Sequence, residues 1–199
     1  MHRVYGDLKS GNCYKVKLAL HHLDLPYEWI DVDVLKGGSR TPEFLTLNPN
    51  GQIPLLVTPD NVALPESNAI LFYLAEESAL IPAERMARAQ MLRWMFFEQY
   101  THEPNVAVAR FIVRYLGRPA DRETALQDRI ARGHKALAVM ESHLAQRDFF
   151  ACAYSLADIA LYAYTHAAEE GLIELAAYPA VRAWLARVAA QPRHVAMDA

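Results

Sequence analysis

The sequence predicts an α/β domain followed by an all-helical domain. Three observations carry this. Residues 1–78 alternate β-like runs with apolar segments of helical period. The stretch Ser78-Ala79-Leu80-Ile81-Pro82-Ala83 then breaks the pattern, and beyond it nothing reads as a strand. The expected layout is therefore an α/β domain over 1–78, a linker over 79–83 and a helical-bundle domain over 84–199.

The first element is the run Arg3-Val4-Tyr5-Gly6, a short strand closed by glycine. Residues 14–23 carry apolar side chains at helical spacing and stop at Asp24-Leu25-Pro26. Tyr27 to Val32 alternates faces as a second strand, so the opening reads β-α-β with parallel strands. A polar loop from Lys36 to Thr41 follows. Thr41 caps a short helix with Pro42 at its first position. Asn48-Pro49-Asn50-Gly51 is a turn. Gln52-Ile53-Pro54-Leu55-Leu56-Val57 is an apolar strand with a proline near its start, and Asp60-Asn61 turns it back into Val62-Ala63-Leu64. Pro65-Glu66-Ser67-Asn68 opens an apolar helix, Ala69 to Glu77, with Ser67 as its cap.

In the second part, Glu84 to Tyr100 reads as one helix and Pro104 interrupts it. Val106 to Leu116 continues, ending at Gly117-Arg118-Pro119. Another helix places Leu126, Ile130, Leu137, Met140 and Leu144 on one face. Ser155-Leu156-Ala157-Asp158 is a helix start in which Asp158 reaches back to the capping Ser155. The helix it opens is apolar on nearly all sides, which predicts the buried centre of the domain. The last helix begins at Tyr178-Pro179 and turns Trp184 and Val188 inward.

Bulk properties exclude several classes of function. The chain has 199 residues, formal net charge −3 and 53% hydrophobic residues. That charge gives no footprint for nucleic acid or an anionic membrane. No apolar run is long enough to span a bilayer, and the N-terminus lacks the apolar stretch of a signal peptide. The 2 cysteines, Cys13 and Cys152, suggest no disulfide framework, and the 8 histidines show no metal-ligand spacing. No metal is expected, and a reducing, cytoplasmic setting fits.

Chemistry concentrates at Ser10-Gly11-Asn12-Cys13, on the turn from first strand to first helix. A helix start offers unpaired N–H groups and the positive end of the dipole, so it favours an anion. Ser10 and Asn12 are short polar residues that either cap this helix or donate to that anion.

Four motifs in this order and spacing resemble the cytosolic glutathione transferases over nearly the whole chain. They are Ser10-Gly11-Asn12-Cys13, Asn50-Gly51-Gln52-Ile53-Pro54, Glu66-Ser67 and Ser155-Leu156-Ala157-Asp158. The resemblance implies a thioredoxin-like N-terminal domain, glutathione as co-substrate and a homodimer. It implies conjugation to, or reduction of, a small apolar electrophile in a detoxification role. Pro54 resembles the family's cis-proline, beside which the tripeptide adds to Ile53 like a strand. Ser67 would take the γ-glutamyl carboxylate, Glu66 its ammonium, and Gln52 would lie beside the peptide. Lys36 and Arg40 lie in the loop that often meets the glycyl carboxylate. Ser10 matches the catalytic Ser of theta-like and phi-like classes, and Ser-x-Asn resembles the Thr-x-Asn of the bacterial Nu-like class. Lowering a thiol pKa from near 8.5 by about two units takes about 3 kcal/mol, within reach of a charge-assisted hydrogen bond or two. Tyr5 reads as a packed strand tyrosine rather than the donor. Two other readings stand beside this one. Ser10-x-x-Cys13 occupies the place of a thioredoxin C-x-x-C pair, which would make a glutathione-dependent thiol–disulfide enzyme using Cys13. Proteins of this fold can also bind ligands and catalyse nothing. The second substrate is expected against the helix spanning 84–116, with Tyr100, His102, Asn105 and Arg110 as candidates.

Overall fold

The computed structural model describes residues 1–199, which divide into two compact units. The first comprises Met1–Ser78 together with Pro192–Ala199. Its strands are β1 (His2–Gly6), β2 (Tyr27–Asp31), β3 (Leu55–Val57) and β4 (Ala63–Pro65), and its helices α1 (Gly11–His22), α2 (Pro42–Leu47) and α3 (Ser67–Leu74). The sheet runs β2-β1-β3-β4. β1 and β2 pair in parallel, as the intervening helix requires, while β3 and β4 are antiparallel to their neighbours.

Alternation along the strands builds two cores. Val4 and Leu56 face one side and pack with Val16 and Leu20 of α1 and Ile70 and Leu74 of α3. Leu55 and Val57 face the other and pack with Val32 and Phe44 of α2, joined by Tyr5 and Ile53. Val4, Val16, Leu20 and Leu56 are all 0% exposed, and burying each contributes about 1.5–3 kcal/mol. The result is the thioredoxin-like three-layer arrangement, with two helices over one face and one over the other.

Several local readings shift. The Ile53–Pro54 peptide is cis, and the strand begins only at Leu55. Ser67 is the first residue of α3 rather than its cap. The cap position falls to Glu66, whose φ of 72° puts it in the left-handed region. The first helix starts three residues earlier than its apolar period indicated, because Ser10 caps it directly. The last residues also leave the place expected for them. The helical domain was expected to run to residue 199, yet Pro192–Ala199 groups with the first unit, along α1. His22 Nδ1 donates to the Pro192 carbonyl at 2.8 Å, the Tyr14 hydroxyl to that of Val195 at 2.7 Å, and Lys17 Nζ to that of Met197 at 3.3 Å.

The second unit, Ala79–Gln191, is helical. It contains α4 (Arg85–Phe97), α5 (Glu103–Arg114), α6 (Glu123–Leu144), α7 (Leu156–Thr165) and α8 (Pro179–Ala189). Glu84 caps α4 by accepting from the Met86 and Ala87 amides. Between α4 and α5 the chain takes one π-helical turn, Glu98–His102, so the break precedes Pro104, which sits in the first turn of α5. Every residue of α7 is buried, as its all-round apolar sequence predicts, and α4, α5 and α8 pack against it.

Asp158 ties the start of α7 to its surroundings. Its carboxylate accepts from the Ser155 amide at 3.0 Å, the Ser155 hydroxyl at 3.1 Å, the Phe150 amide at 3.2 Å and Trp184 Nε1 at 2.9 Å. Burial pushes its pKa up to about 6, against these four donors, which favour the ionised form. No helix is long and apolar enough to cross a membrane.

Candidate functional site

The topology gathers the motif residues at one end of the sheet. β1 leads into the Ser10 turn at its C-terminal end. β3 runs antiparallel to β1, so Ile53-Pro54 precedes it at that same end, where Leu55 pairs with Tyr5. β4 turns back, and its last residue, Pro65, pairs with Leu55. Glu66 and Ser67 follow immediately. Three segments distant in sequence thus meet because strand direction alternates.

At the centre are Ser10, Asn12 and Ser67. Ser10 Oγ accepts from the Cys13 amide at 3.4 Å and so caps α1. Asn12 lies in the first turn of α1, half-buried. Its Oδ1 accepts from the Ser67 hydroxyl at 3.4 Å. Ser67 is 5% exposed at the start of α3 and also accepts from Lys15 Nζ at 3.3 Å. The N-termini of α1 and α3 therefore converge here, both offering positive dipole ends. Glu66 is exposed beside them.

Cys13 is 0% exposed. Burial pushes its thiol up to about 12, although the Ser10 side chain and the Asp7 backbone hydrogen-bond to it and oppose the shift. The raised pKa favours the protonated thiol, the less nucleophilic form. Ser10 Oγ accepts from the Cys13 amide, and a hydroxyl that accepts still has its own proton to offer another atom.

Of the remaining residues, Gln52 is exposed and its carbonyl accepts from Asn48 Nδ2 at 2.8 Å. Ile53 is half-buried and Pro54 buried at the start of β3. Arg40 donates to the Asn50 carbonyl at 3.0 Å and lies across Gly51, whose φ is 63°. It fastens the turn before β3 and is engaged there rather than with Ser10, Asn12 or Ser67. Lys36 pairs with Asp33 at 3.1 Å on an open loop, its side chain 86% exposed. Tyr5 packs edge-on to Phe44 at 6.0 Å, as a core strand tyrosine does.

The four helical candidates separate. Tyr100 is 88% exposed on the π turn. The other three are corrected to interior positions of the helical unit. His102 is 0% exposed and meets Thr165 Oγ1 at 2.9 Å. Asn105 donates to the Thr101 carbonyl at 2.7 Å and accepts from Arg129. Arg110 pairs with Glu170 at 3.0 Å. The π turn shifts the angular register between α4 and α5, so a single helical wheel across both misplaces these side chains. No cluster of His, Cys, Asp and Glu could hold a metal ion. Lys15 is the site residue that sequence reasoning missed. It sits among apolar neighbours five positions after Ser10, and lysine is ordinarily a surface residue.

Comparison with known proteins agrees with this architecture. The family model "Glutathione S-transferase, N-terminal domain" matches residues 10–77, and "Glutathione S-transferase, C-terminal domain" matches residues 105–192. Glutathione S-transferase 3 of Zea mays is 35% identical over 96% of this chain and 90% of its own length. The disulfide-bond oxidoreductase YfcG of Escherichia coli (strain K12) is 32% identical over 92% and 88%. Among solved structures, a glutathione S-transferase from Pseudomonas fluorescens [Pf-5] superposes with TM-score 0.97 at 53% identity, covering 98% of both chains. A further family member from Pseudomonas fluorescens pf-5, solved with two glutathione molecules bound, gives TM-score 0.84 at 30% identity over 96% and 89%. A thioredoxin-like unit joined in sequence to a helical unit is the two-part architecture that the two family models together cover. With that architecture, the chain belongs to the glutathione S-transferase family.

Proposed function

We propose that the protein binds reduced glutathione at the sheet end formed by Ile53, Pro54, Glu66 and Ser67. It ionises the thiol there and transfers the sulfur to a small apolar electrophile. The observation that carries this reading is the convergence of Ser10, Asn12 and Ser67 on two helix N-termini. The γ-glutamyl carboxylate docks on the Ser67 hydroxyl and the α3 amides. Glu66 takes the ammonium and Gln52 flanks the peptide. Ser10 donates its proton to the thiolate and Asn12 supplies a second contact. Bound glutathione in a family member of the same fold supports the assignment. Lys36 and Arg40 lie beyond this core, and a role for either at the glycyl carboxylate would be peripheral.

Ser67→Ala removes the hydroxyl donor to an ionised carboxylate, and calorimetry should show glutathione affinity weakened about tenfold or more. Absence of saturable binding by the unaltered protein at millimolar glutathione would favour a ligand-free or non-catalytic role instead.

A second reading shares the same thiolate. The likeness to a disulfide-bond oxidoreductase supports disulfide reduction. In that case glutathione sulfur attacks one sulfur of a disulfide and expels the other as thiolate. A second glutathione then resolves the mixed disulfide, giving oxidised glutathione. Cys13, buried and protonated, takes no part. A reducing, cytoplasmic setting suits either reaction.

We also propose that the chain forms a homodimer. The family resemblance supports this, and on α4 Phe96 is 69% exposed and Met86 63% exposed, apolar side chains a partner could cover. Light scattering across micromolar concentrations should return twice the chain mass, and a monomer throughout would refute it.

A further inference from the structure

One buried cation near the site has no part in the reaction as described so far. Lys15 is 0% exposed on α1, between Tyr14 and Val16, which are themselves 2% and 0% exposed. Its Nζ donates to Ser67 Oγ at 3.3 Å, and that hydroxyl passes its own proton toward Asn12 Oδ1 at 3.4 Å. Ser67 thus links the buried lysine to half-buried Asn12. A buried cation acts over a longer range than one in water, because the surroundings screen it less.

We infer that Lys15 is a positioning residue that, through Ser67, provides the counter-charge for the α-carboxylate of the bound γ-glutamyl group. It thereby makes that carboxylate a requirement for binding. The inference rests on the glutathione reading above. An anion held on the Ser67 hydroxyl lies one oxygen away from the ammonium. At roughly 5 Å and an effective dielectric near 20, their attraction exceeds a tenfold change in affinity. The α3 dipole acts in the same direction, but it is a partial charge at a solvent-facing helix end. The lysine is a whole charge beneath the surface, where salt screens it little. Lys15 also donates to the Ser67 oxygen, so the single hydroxyl proton, now toward Asn12 Oδ1, is the one that turns to the incoming carboxylate.

The test compares two ligands by calorimetry: glutathione, and 4-aminobutanoyl-cysteinylglycine, which keeps the amine, peptide and thiol but lacks the α-carboxylate. Lys15→Met keeps the length and apolar stem while removing the charge. It should weaken glutathione binding about tenfold or more and leave the analogue's affinity within about twofold. In turnover with an aryl halide, the loss should fall on the KM for glutathione, with kcat within about threefold. Lys15→Gln, which keeps a donor but no charge, should behave like Lys15→Met. Equal loss for both ligands would make Lys15 merely structural. Unchanged glutathione affinity in Lys15→Met, or wild-type affinity in Lys15→Gln, would overturn the electrostatic role. Failure of the unaltered protein to bind glutathione would instead sink the parent reading, and this one with it. If Lys15→Met does not fold, the two-ligand comparison on Lys15→Gln decides alone.

Discussion

Asp158→Ala should lower the unfolding free energy by about 3–5 kcal/mol, the largest single-residue effect on stability expected in this chain. Four donors converge on that carboxylate: the amides of Phe150 and Ser155, the Ser155 hydroxyl and the Trp184 indole. Alanine leaves all four inside the protein with no acceptor, and burial denies them water. The loss also reaches across elements, since Trp184 belongs to α8 and packs on Phe150 at 5.0 Å. Chemical denaturation monitored by tryptophan fluorescence gives the number directly.

The same residue carries a pH signature. Its folded pKa of about 6 lies above its ordinary 3.8. The folded state therefore holds the proton more tightly than the unfolded chain. The stability this group contributes is fully present below about pH 4 and is lost as pH rises through about 6. The full swing is about 3 kcal/mol. Asp158→Asn cannot titrate. The stability difference between wild type and Asp158→Asn should therefore narrow from pH 4 to pH 7, as measured by denaturation at each pH. A difference that widens with pH would mean that the four donors outweigh burial and depress the pKa instead.

The second large effect falls on the thiol. Ser10→Ala should raise the apparent pKa of bound glutathione by about one to two units, which corresponds to about 1.4–2.7 kcal/mol of lost thiolate stabilisation. Conjugation below that pKa should slow by a similar factor, about 10–100-fold. The hydroxyl is suited to this because it caps the start of α1 by accepting from the Cys13 amide and keeps a proton to donate. Asn12→Ala should act in the same direction and less strongly, since its Oδ1 is engaged with Ser67. The dipole and amides of α1 remain in both variants, so activity should fall without vanishing.

Much of this was legible in the sequence, and the exceptions share physical causes. Thr41-Pro42, Ser10 and the Ser155–Asp158 box are local signals, set by side chains that satisfy the backbone within three residues, and each marks a helix start in the structure. The parallel pairing of β1 with β2 followed from the intervening helix, and the β3–β4 hairpin from the Asp60-Asn61 turn. The place of the C-terminal tail was not legible, because Pro192–Ala199 has no periodicity of its own and docks through scattered polar contacts to Tyr14, Lys17 and His22. His102, Asn105 and Arg110, candidates for the second substrate, are buried in the helical unit, beyond a π turn that one helical period cannot anticipate. Thr165, Arg129 and Glu170 partner them from positions distant in the chain. Lys15 escaped notice for the same reason, since its partner lies 52 positions away.

The measurement that bears most directly on the central claim is the titration of protein-bound glutathione by thiolate absorbance against pH. It is to be made on the unaltered protein, Ser10→Ala, Asn12→Ala and Cys13→Ala. The account predicts a lowered pKa in the unaltered protein, a clear rise in Ser10→Ala, a smaller rise in Asn12→Ala and no change in Cys13→Ala. A rise in Cys13→Ala with none in Ser10→Ala, accompanied by a trapped Cys13–glutathione mixed disulfide, would contradict it.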